Sequence, residues 1–245
     1  MQLTDKTILI TGASDGIGKA TALECAKAGA TVIIHGKTQP KLELLYDEIV
    51  EAGYPEPVIY PLDFEKMTPE DCETLNDVIM KEFGKLDGLF NNAGWLGASS
   101  PVQHYDTKLW HRVMQINLNA TFMLTQACIP LLNNASTSSI LFNIDNKNTA
   151  YWGAYGISKA GLRSFMEILS DEMEASTINV SGLIPGAVLT GFRTRAFPAE
   201  NPSDLTTPDE VSRAAAYLLS DECKTVNGEA SHGKIFNLEE VTSAL

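Results

Sequence analysis

The sequence predicts an α/β protein: a doubly wound parallel sheet of about seven strands with helices on both faces. Three observations carry this. Short apolar runs alternate with helical segments of ten or more residues, the pattern of βαβ units. The apolar runs lack strict alternation, as strands buried on both sides do. A glycine-rich turn separates the first strand from the first helix. In chain order, strands are expected at 7–10, 31–34, 58–61, 86–90, 140–144, 179–184 and 233–237. Helices are expected at 17–28, 41–51, 72–83, 109–132, 155–175 and 209–219, with Gly29 placed to end the first. No linker, repeat or low-complexity stretch divides residues 1–245, so one domain is expected. The most irregular stretch, Thr190–Pro208, reads either as a lid over a site or as a solvated loop.

Composition narrows the partners. Hydrophobic residues make up 44% of the 245 and charged residues 20%, enough for a sizeable core. The net charge of −13 repels phosphate backbones and anionic membranes, which argues against a nucleic-acid partner. No apolar run approaches the roughly 18 residues needed to cross a bilayer, and the amino terminus reads as a strand. Cys25, Cys72, Cys128 and Cys223 have no CxxC spacing, so neither a disulfide framework nor a metal site is expected. A soluble cytoplasmic protein follows as the expectation.

The turn Thr11-Gly12-Ala13-Ser14-Asp15-Gly16-Ile17-Gly18 has the context of a dinucleotide-binding, Rossmann-type turn. Gly12 permits the tight exit from the strand, Gly16 a close backbone approach to a pyrophosphate, and Gly18 close packing of helix on sheet. Ser14, Asp15 and Ile17 complete the turn, and the helix amino terminus offers free N–H groups to an anion. At the end of the second strand, His35-Gly36-Lys37 lacks the acid that would bind a ribose 2′-hydroxyl. Lys37 is either a partner for a 2′-phosphate, favouring NADP(H) with NAD(H) still possible, or an ordinary surface lysine.

Together with that turn, NNAG (Asn91–Gly94), Asn117 within MQINLNATF, YGISK (Tyr155–Lys159) and PGAVLT (Pro185–Thr190) resemble the short-chain dehydrogenase/reductases along the whole chain. NATFMLTQA, WGAY and RAFPAENP further resemble the bacterial YciK-like branch. The family resemblance implies a nicotinamide cofactor. Asp63 would meet the adenine edge, and Asn91, Ala93 and Gly94 would line the adenine ribose. Pro185, Gly186, Val188 and Thr190 would line the nicotinamide end. It implies that Lys159 holds the nicotinamide ribose and that Asn117 anchors a water chain to that lysine. It also implies a homodimer or homotetramer packed through helices 109–132 and 155–175. The residues carry their own argument at the centre. Tyr155 and Lys159, four apart on a helix, share a face. An ammonium beside a phenol favours the phenolate, so Tyr155 suits acid–base work at a carbonyl or alcohol.

One position departs from the family pattern. Aligning the fifth strand puts Asp145 where the family places a substrate-orienting serine, and the stretch from Asp145 to Tyr155 is about three residues short. Ser139, at the strand's start, lies about 20 Å from its end at about 3.3 Å per residue. An ionised Asp145 repels a phenolate and has no proton to give a carbonyl. Three readings stay open: a protonated Asp145; a neutral donor supplied by Asn143, Asn146 or Asn148; or a lost function with weak turnover. The expectation is an NADP(H)-dependent carbonyl reductase or alcohol dehydrogenase, with a catalytically impaired dinucleotide-binding sensor or partner protein as the alternative. Its small-molecule pocket would form from 94–103, 145–151 and 190–208, whose aromatics suit a hydrophobic carbonyl or alcohol.

Overall fold

A computed structural model describes residues 1–245, the side chain of Lys224 excepted. Among the described residues, seven strands form one parallel sheet: β1 (Thr7–Thr11), β2 (Thr31–Gly36), β3 (Val58–Pro61), β4 (Gly88–Asn91), β5 (Ser138–Asn143), β6 (Ile178–Ile184) and the edge strand β9 (Ile235–Asn237). Their order is β3-β2-β1-β4-β5-β6-β9, the doubly wound, Rossmann-type arrangement. The order in which the chain adds strands reverses between β1 and β4, while every pairing stays parallel. Ligands bind at such a switch point, outside the carboxyl ends of the strands.

Alternate strand residues supply two cores. Ile8, Ile10, Val32 and Ile34 pack against α1 (Gly16–Lys27), α2 (Gln39–Glu51) and α8 (Pro208–Leu218). Leu9, Ile33, Leu89, Ile140, Phe142 and Val180 pack against α3 (Pro69–Phe83), α5 (Ala120–Asn133) and α6 (Gly153–Glu172). Burial on both faces is why these strands read as continuous apolar runs. His35 is the polar exception: it is buried on Phe64 with neither ring nitrogen partnered, and burial pushes its pKa down to about 4.

Several expected elements differ. The long helix expected over 109–132 is α4 (Thr107–Met114), a π-helical turn (Gln115–Asn119) and α5. The widened turn falls where the Asn117 amide exchanges hydrogen bonds with both backbone groups of Trp95, so a tertiary contact interrupts the helical ladder. The stretch 190–208 is not structureless: it holds α7 (Gly191–Ala196), a 3₁₀ turn (Pro202–Asp204) and a parallel bridge from Val188 to Thr206. α3 starts three residues before the apolar pattern, at Pro69, because Thr68 and Asp71 cap it reciprocally. The hairpin of β7 (Thr225–Val226) and β8 (Glu229–Ala230), and the last helix α9 (Leu238–Thr242), carry no sequence pattern that announced them. Among the described residues no helix is long and apolar enough to cross a membrane.

Candidate active site

A cleft of about 630 Å³ opens at the carboxyl ends of the strands. One half is built by the β1–α1 turn. Gly12 and Gly16 hold positive φ (67° and 53°), a region that L side chains enter at a cost. A side chain at Gly16 would meet Thr190, so the bare backbone faces the cleft. Asp15 caps α1, its side chain accepting from the Gly16 N–H at 2.8 Å. Gly12, Ser14, Asp15, Gly16 and Ile17 line the cleft; Gly18 lies behind them, against the backbone of Gly12. This bare-backbone cradle at a helix amino terminus fits a pyrophosphate.

Lys37, exposed at the end of β2, and Asp63, beyond β3, line the adjoining wall. Two cations that the sequence did not single out join them there, Lys41 and Arg195. Lys41 Nζ pairs with Asp15 at 3.0 Å and, together with the Gly16 N–H, holds the Asp15 carboxyl below its ordinary range against the opposing effect of burial. Lys41 lies in the first turn of α2, four residues beyond Lys37, and both line the cleft. Arg195 comes from a distant element, so only the fold joins it to them.

The expected lining residues divide. Ala93, Gly94, Pro185, Gly186, Val188 and Thr190 are on the wall. Asn91 is not: it is buried, and its amide donates to Thr125 Oγ1 at 2.9 Å. The pleat turns the next residue, Asn92, to the cleft instead. Asn92 donates to the Thr11 carbonyl and accepts from the Asn143 amide, both at 2.9 Å, tying the phosphate turn to the end of β5. Asn117, expected as the anchor of a water chain and not as a lining residue, is fully buried and donates to Trp95 O and Ser158 Oγ, both at 3.0 Å.

At the other end of the cleft stand Tyr155, Lys159 and Asp145. The Tyr155 phenol donates to Asp145 Oδ2 at 2.9 Å. Lys159 Nζ donates to the Asn143 carbonyl at 2.7 Å and lies 6.0 Å from the Tyr155 ring centre. Burial, then the charge and hydrogen bond of Asp145, push the phenol well above its ordinary pKa, with Arg193 opposing. Burial lowers Lys159 to about 8, with Asp145 opposing. The short β5–α6 loop folds directly onto α6: a Cβ on Gly156 would stand 2.0 Å from the Lys147 carbonyl. Of the neutral donors considered from sequence, Asn143 lines the cleft, one N–H of its amide donating to Asn92 at 2.9 Å, while Asn146 and Asn148 are exposed outside it.

Aromatic rings close this end. Phe192 and Trp152 lie 5.2 and 5.6 Å from the Tyr155 ring, and Phe197 lies 5.7 Å from Trp152. Arg193 holds the cover together. It makes two 2.6 Å bonds to Glu200 and stacks 4.0 Å over Phe197. The arrangement combines a phosphate cradle with a desolvated proton-handling pair beneath an apolar lid.

A dinucleotide-dependent oxidoreductase is the class that this fold and cleft define. The chain belongs to the short chain dehydrogenase family, whose model matches residues 6–201, and it is a short-chain, NAD(P)-dependent oxidoreductase. It is 38% identical over 229 residues to the uncharacterized oxidoreductase YciK of Escherichia coli K12, spanning 92% of this chain and 90% of that protein. It is 30% identical over 243 residues to the cyclohexanol dehydrogenase of Acinetobacter sp. strain SE19, spanning 93% and 92%. A short chain dehydrogenase of Escherichia coli CFT073, solved in complex with NADPH, superposes with a TM-score of 0.91 at 38% identity, covering 97% of this chain and 98% of that one.

Proposed function

We propose that residues 1–245 form one catalytic unit, an NADP(H)-dependent oxidoreductase that interconverts a hydrophobic carbonyl and its alcohol, with 190–208 as the substrate cover. The observation that carries this reading is the hydrogen bond from the buried Tyr155 to the half-buried Asp145, beside the buried Lys159, a proton-transfer pair at one end of the cleft. The nicotinamide, when bound, supplies or accepts the hydride. Gly12–Ile17 then hold its phosphates, Asp63, Ala93 and Gly94 its adenosine, Lys159 its second ribose, and Val188 and Thr190 its carboxamide end. Trp152, Phe192 and Phe197 exclude water, and Tyr155 and Asp145 hold the proton of the substrate oxygen. NADPH oxidation with a panel of ketones, aldehydes and quinones, and NADP⁺ reduction with cyclohexanol, test the reading. A panel without turnover overturns it.

A second reading has one observation in its favour: Asp145 holds the Tyr155 proton tightly. In that reading the chain binds the dinucleotide as a sensor or partner without efficient turnover. Silent Tyr155→Phe and Asp145→Asn variants with NADPH binding intact would establish it.

Cofactor choice follows from Lys37, Lys41 and Arg195, which all line the cleft, and from the absence of an acid at the end of β2. NADPH is expected to bind more tightly than NADH in calorimetric titrations. Lys37→Ala should weaken NADPH alone, by roughly tenfold, the scale of one charge-assisted hydrogen bond at an exposed site. Equal binding of the two cofactors removes the claim.

For assembly we propose a homodimer or homotetramer. Phe122 on α5 and Ile157 and Ile168 on α6 are large apolar side chains 45–58% exposed. Light scattering near the 26.6 kDa monomer mass would overturn it. A reducing, cytoplasmic setting is proposed from four buried, unpaired thiols, and cell fractionation checks it.

A further inference from the structure

We propose that the substrate carries a carboxylate as well as its carbonyl or hydroxyl, and that Lys147 holds that carboxylate under the aromatic cover. The substrate class is then the oxo acids and the matching hydroxy acids. The inference rests on the oxidoreductase reading and deepens it.

The cations of the cleft divide between its two ends. Lys41 pairs with Asp15, and Arg195 acts on the same carboxylate. Both therefore stand at the phosphate turn, where a dinucleotide brings anions of its own. Around Tyr155 the cations on the wall are Lys159, Arg193 and Lys147. Lys159 donates to the Asn143 carbonyl, and Arg193 is tied by two bonds to Glu200. Lys147 is left over. Among the described residues no acid comes within ion-pair distance of it. Glu200 feels its charge but is already bound by Arg193. The ammonium rests on the face of Trp152, 5.4 Å from the ring centre. A ring face attracts the charge but leaves N–H donors free for an anion.

The backbone fixes this placement. The short β5–α6 loop folds so closely onto α6 that a Cβ on Gly156 would collide with the Lys147 carbonyl. Gly156 follows Tyr155, so the half-buried Lys147 is pinned to the turn of helix that carries the phenol. Trp152 lies 5.6 Å from the Tyr155 ring, so phenol and ammonium lie against the same indole. A substrate whose oxygen reaches Tyr155 can therefore lay its apolar body along Trp152 and end at Lys147. There a carboxylate gains a charge-assisted bond in a site partly shut from water. The net charge of −13 opposes anionic ligands at long range. A cleft cation without an acidic partner is the local exception that admits one. The reaction itself is unchanged: a hydride and a proton convert the oxo group to a hydroxyl, and the carboxylate takes no part.

The test measures NADPH oxidation at neutral pH with matched probes: 4-oxopentanoate and 4-oxocyclohexanecarboxylate, each against its methyl ester. Wild type should prefer each acid over its ester by about tenfold in kcat/KM, the scale of one hydrogen bond to a charged group at a half-exposed site. The preference should sit in KM and shrink as ionic strength rises from about 0.01 to about 0.5 M. Lys147→Met should erase it, Lys147→Arg should keep it and Lys147→Glu should reverse it. The reversal is a result that a merely structural loop residue would not produce. Fluorescence titration with NADPH shows that each chain keeps its cofactor site. A wild type that takes ester as readily as acid overturns the proposal and leaves the oxidoreductase reading standing. So does a preference that survives Lys147→Met, and so does a Lys147→Met chain that loses NADPH affinity while keeping its preference, which would give the ammonium to the cofactor. No turnover with these probes or with the neutral panel, NADPH being bound, removes that reading and the proposal with it.

Discussion

Replacing Lys159 by methionine is expected to lower kcat/KM by about 10³-fold while leaving the protein at least as stable as before. The two effects have one cause. Lys159 is buried, and burial brings its pKa from 10.5 to about 8. A shift of that size means that the folded state disfavours the ammonium by up to about 3 kcal/mol, before the hydrogen bond to Asn143 is counted. The unfolded chain holds this proton up to a higher pH than the folded chain does. The cost is therefore full below pH 8, falls as pH rises from 8 to 10.5, and is gone above. Methionine keeps the length of the stem and removes the charge. Thermal midpoints should hold or rise below pH 8, and the difference from wild type should fade toward pH 10.5. Activity should move oppositely. A cation in a water-excluded cleft steadies the negative charge that develops on the substrate oxygen, an effect worth about 10²–10³-fold for a single well-placed group. In the wild type that cation titrates, so kcat/KM should fall above pH about 8. Lys159→Met should lack this limb. A destabilised variant that keeps the limb would show that Lys159 is structural and that another group titrates there.

How much of this site can be read from the chain depends on whether the controlling contact is local. The glycine turn is legible because Gly12 and Gly16 answer to local backbone geometry, and Gly18 to the spacing that packs α1 on β1. The strands are legible because runs such as Ile8–Ile10 must be apolar on both faces. Asp145 is legible because strand register alone carries it to the end of β5, and the structure sets its carboxylate against Tyr155. What escapes is set at a distance. Asn117 is legible as a motif position, but the π turn around it is not, because the Trp95 backbone that exchanges hydrogen bonds with it lies 22 residues away. The choice between Asn91 and Asn92 is a matter of pleat phase, which a four-residue strand does not declare. Lys41 and Arg195, more than 150 residues apart in the chain, line the same cleft. The Asn143 side chain is likewise placed at a distance: its amide donates to Asn92, a residue of another strand end.

Gly18→Ala is expected to raise the dissociation constant for NADPH by about 10²-fold, and the argument is one of space alone. Gly18 lies within α1, so no unusual backbone angle is at stake there. A Cβ at this position would stand 2.3 Å from the Gly12 carbonyl oxygen and 2.6 Å from Asn92 Nδ2. Neither neighbour can yield cheaply. Gly12 follows β1, which is clamped by parallel pairing to β2 on one side and β4 on the other. Asn92 Nδ2 is held to the Thr11 carbonyl. The helix must therefore shift outward by about an ångström, carrying its first-turn N–H groups off the pyrophosphate. Misplacement on that scale costs about 10²-fold when geometry sets the interaction. If Asn92 gives way as well, the strain passes through its bond to Asn143, whose carbonyl anchors Lys159. Turnover with bound cofactor should then fall along with affinity. Gly53→Ala is the control: Gly53 has φ of 75° with nothing within 4 Å of a Cβ. It should cost about 1 kcal/mol of stability through backbone strain and leave NADPH binding untouched. Fluorescence titration of both variants decides the matter. An unchanged dissociation constant in Gly18→Ala would mean that helix and strand are not packed closely enough for this glycine to set the phosphate site.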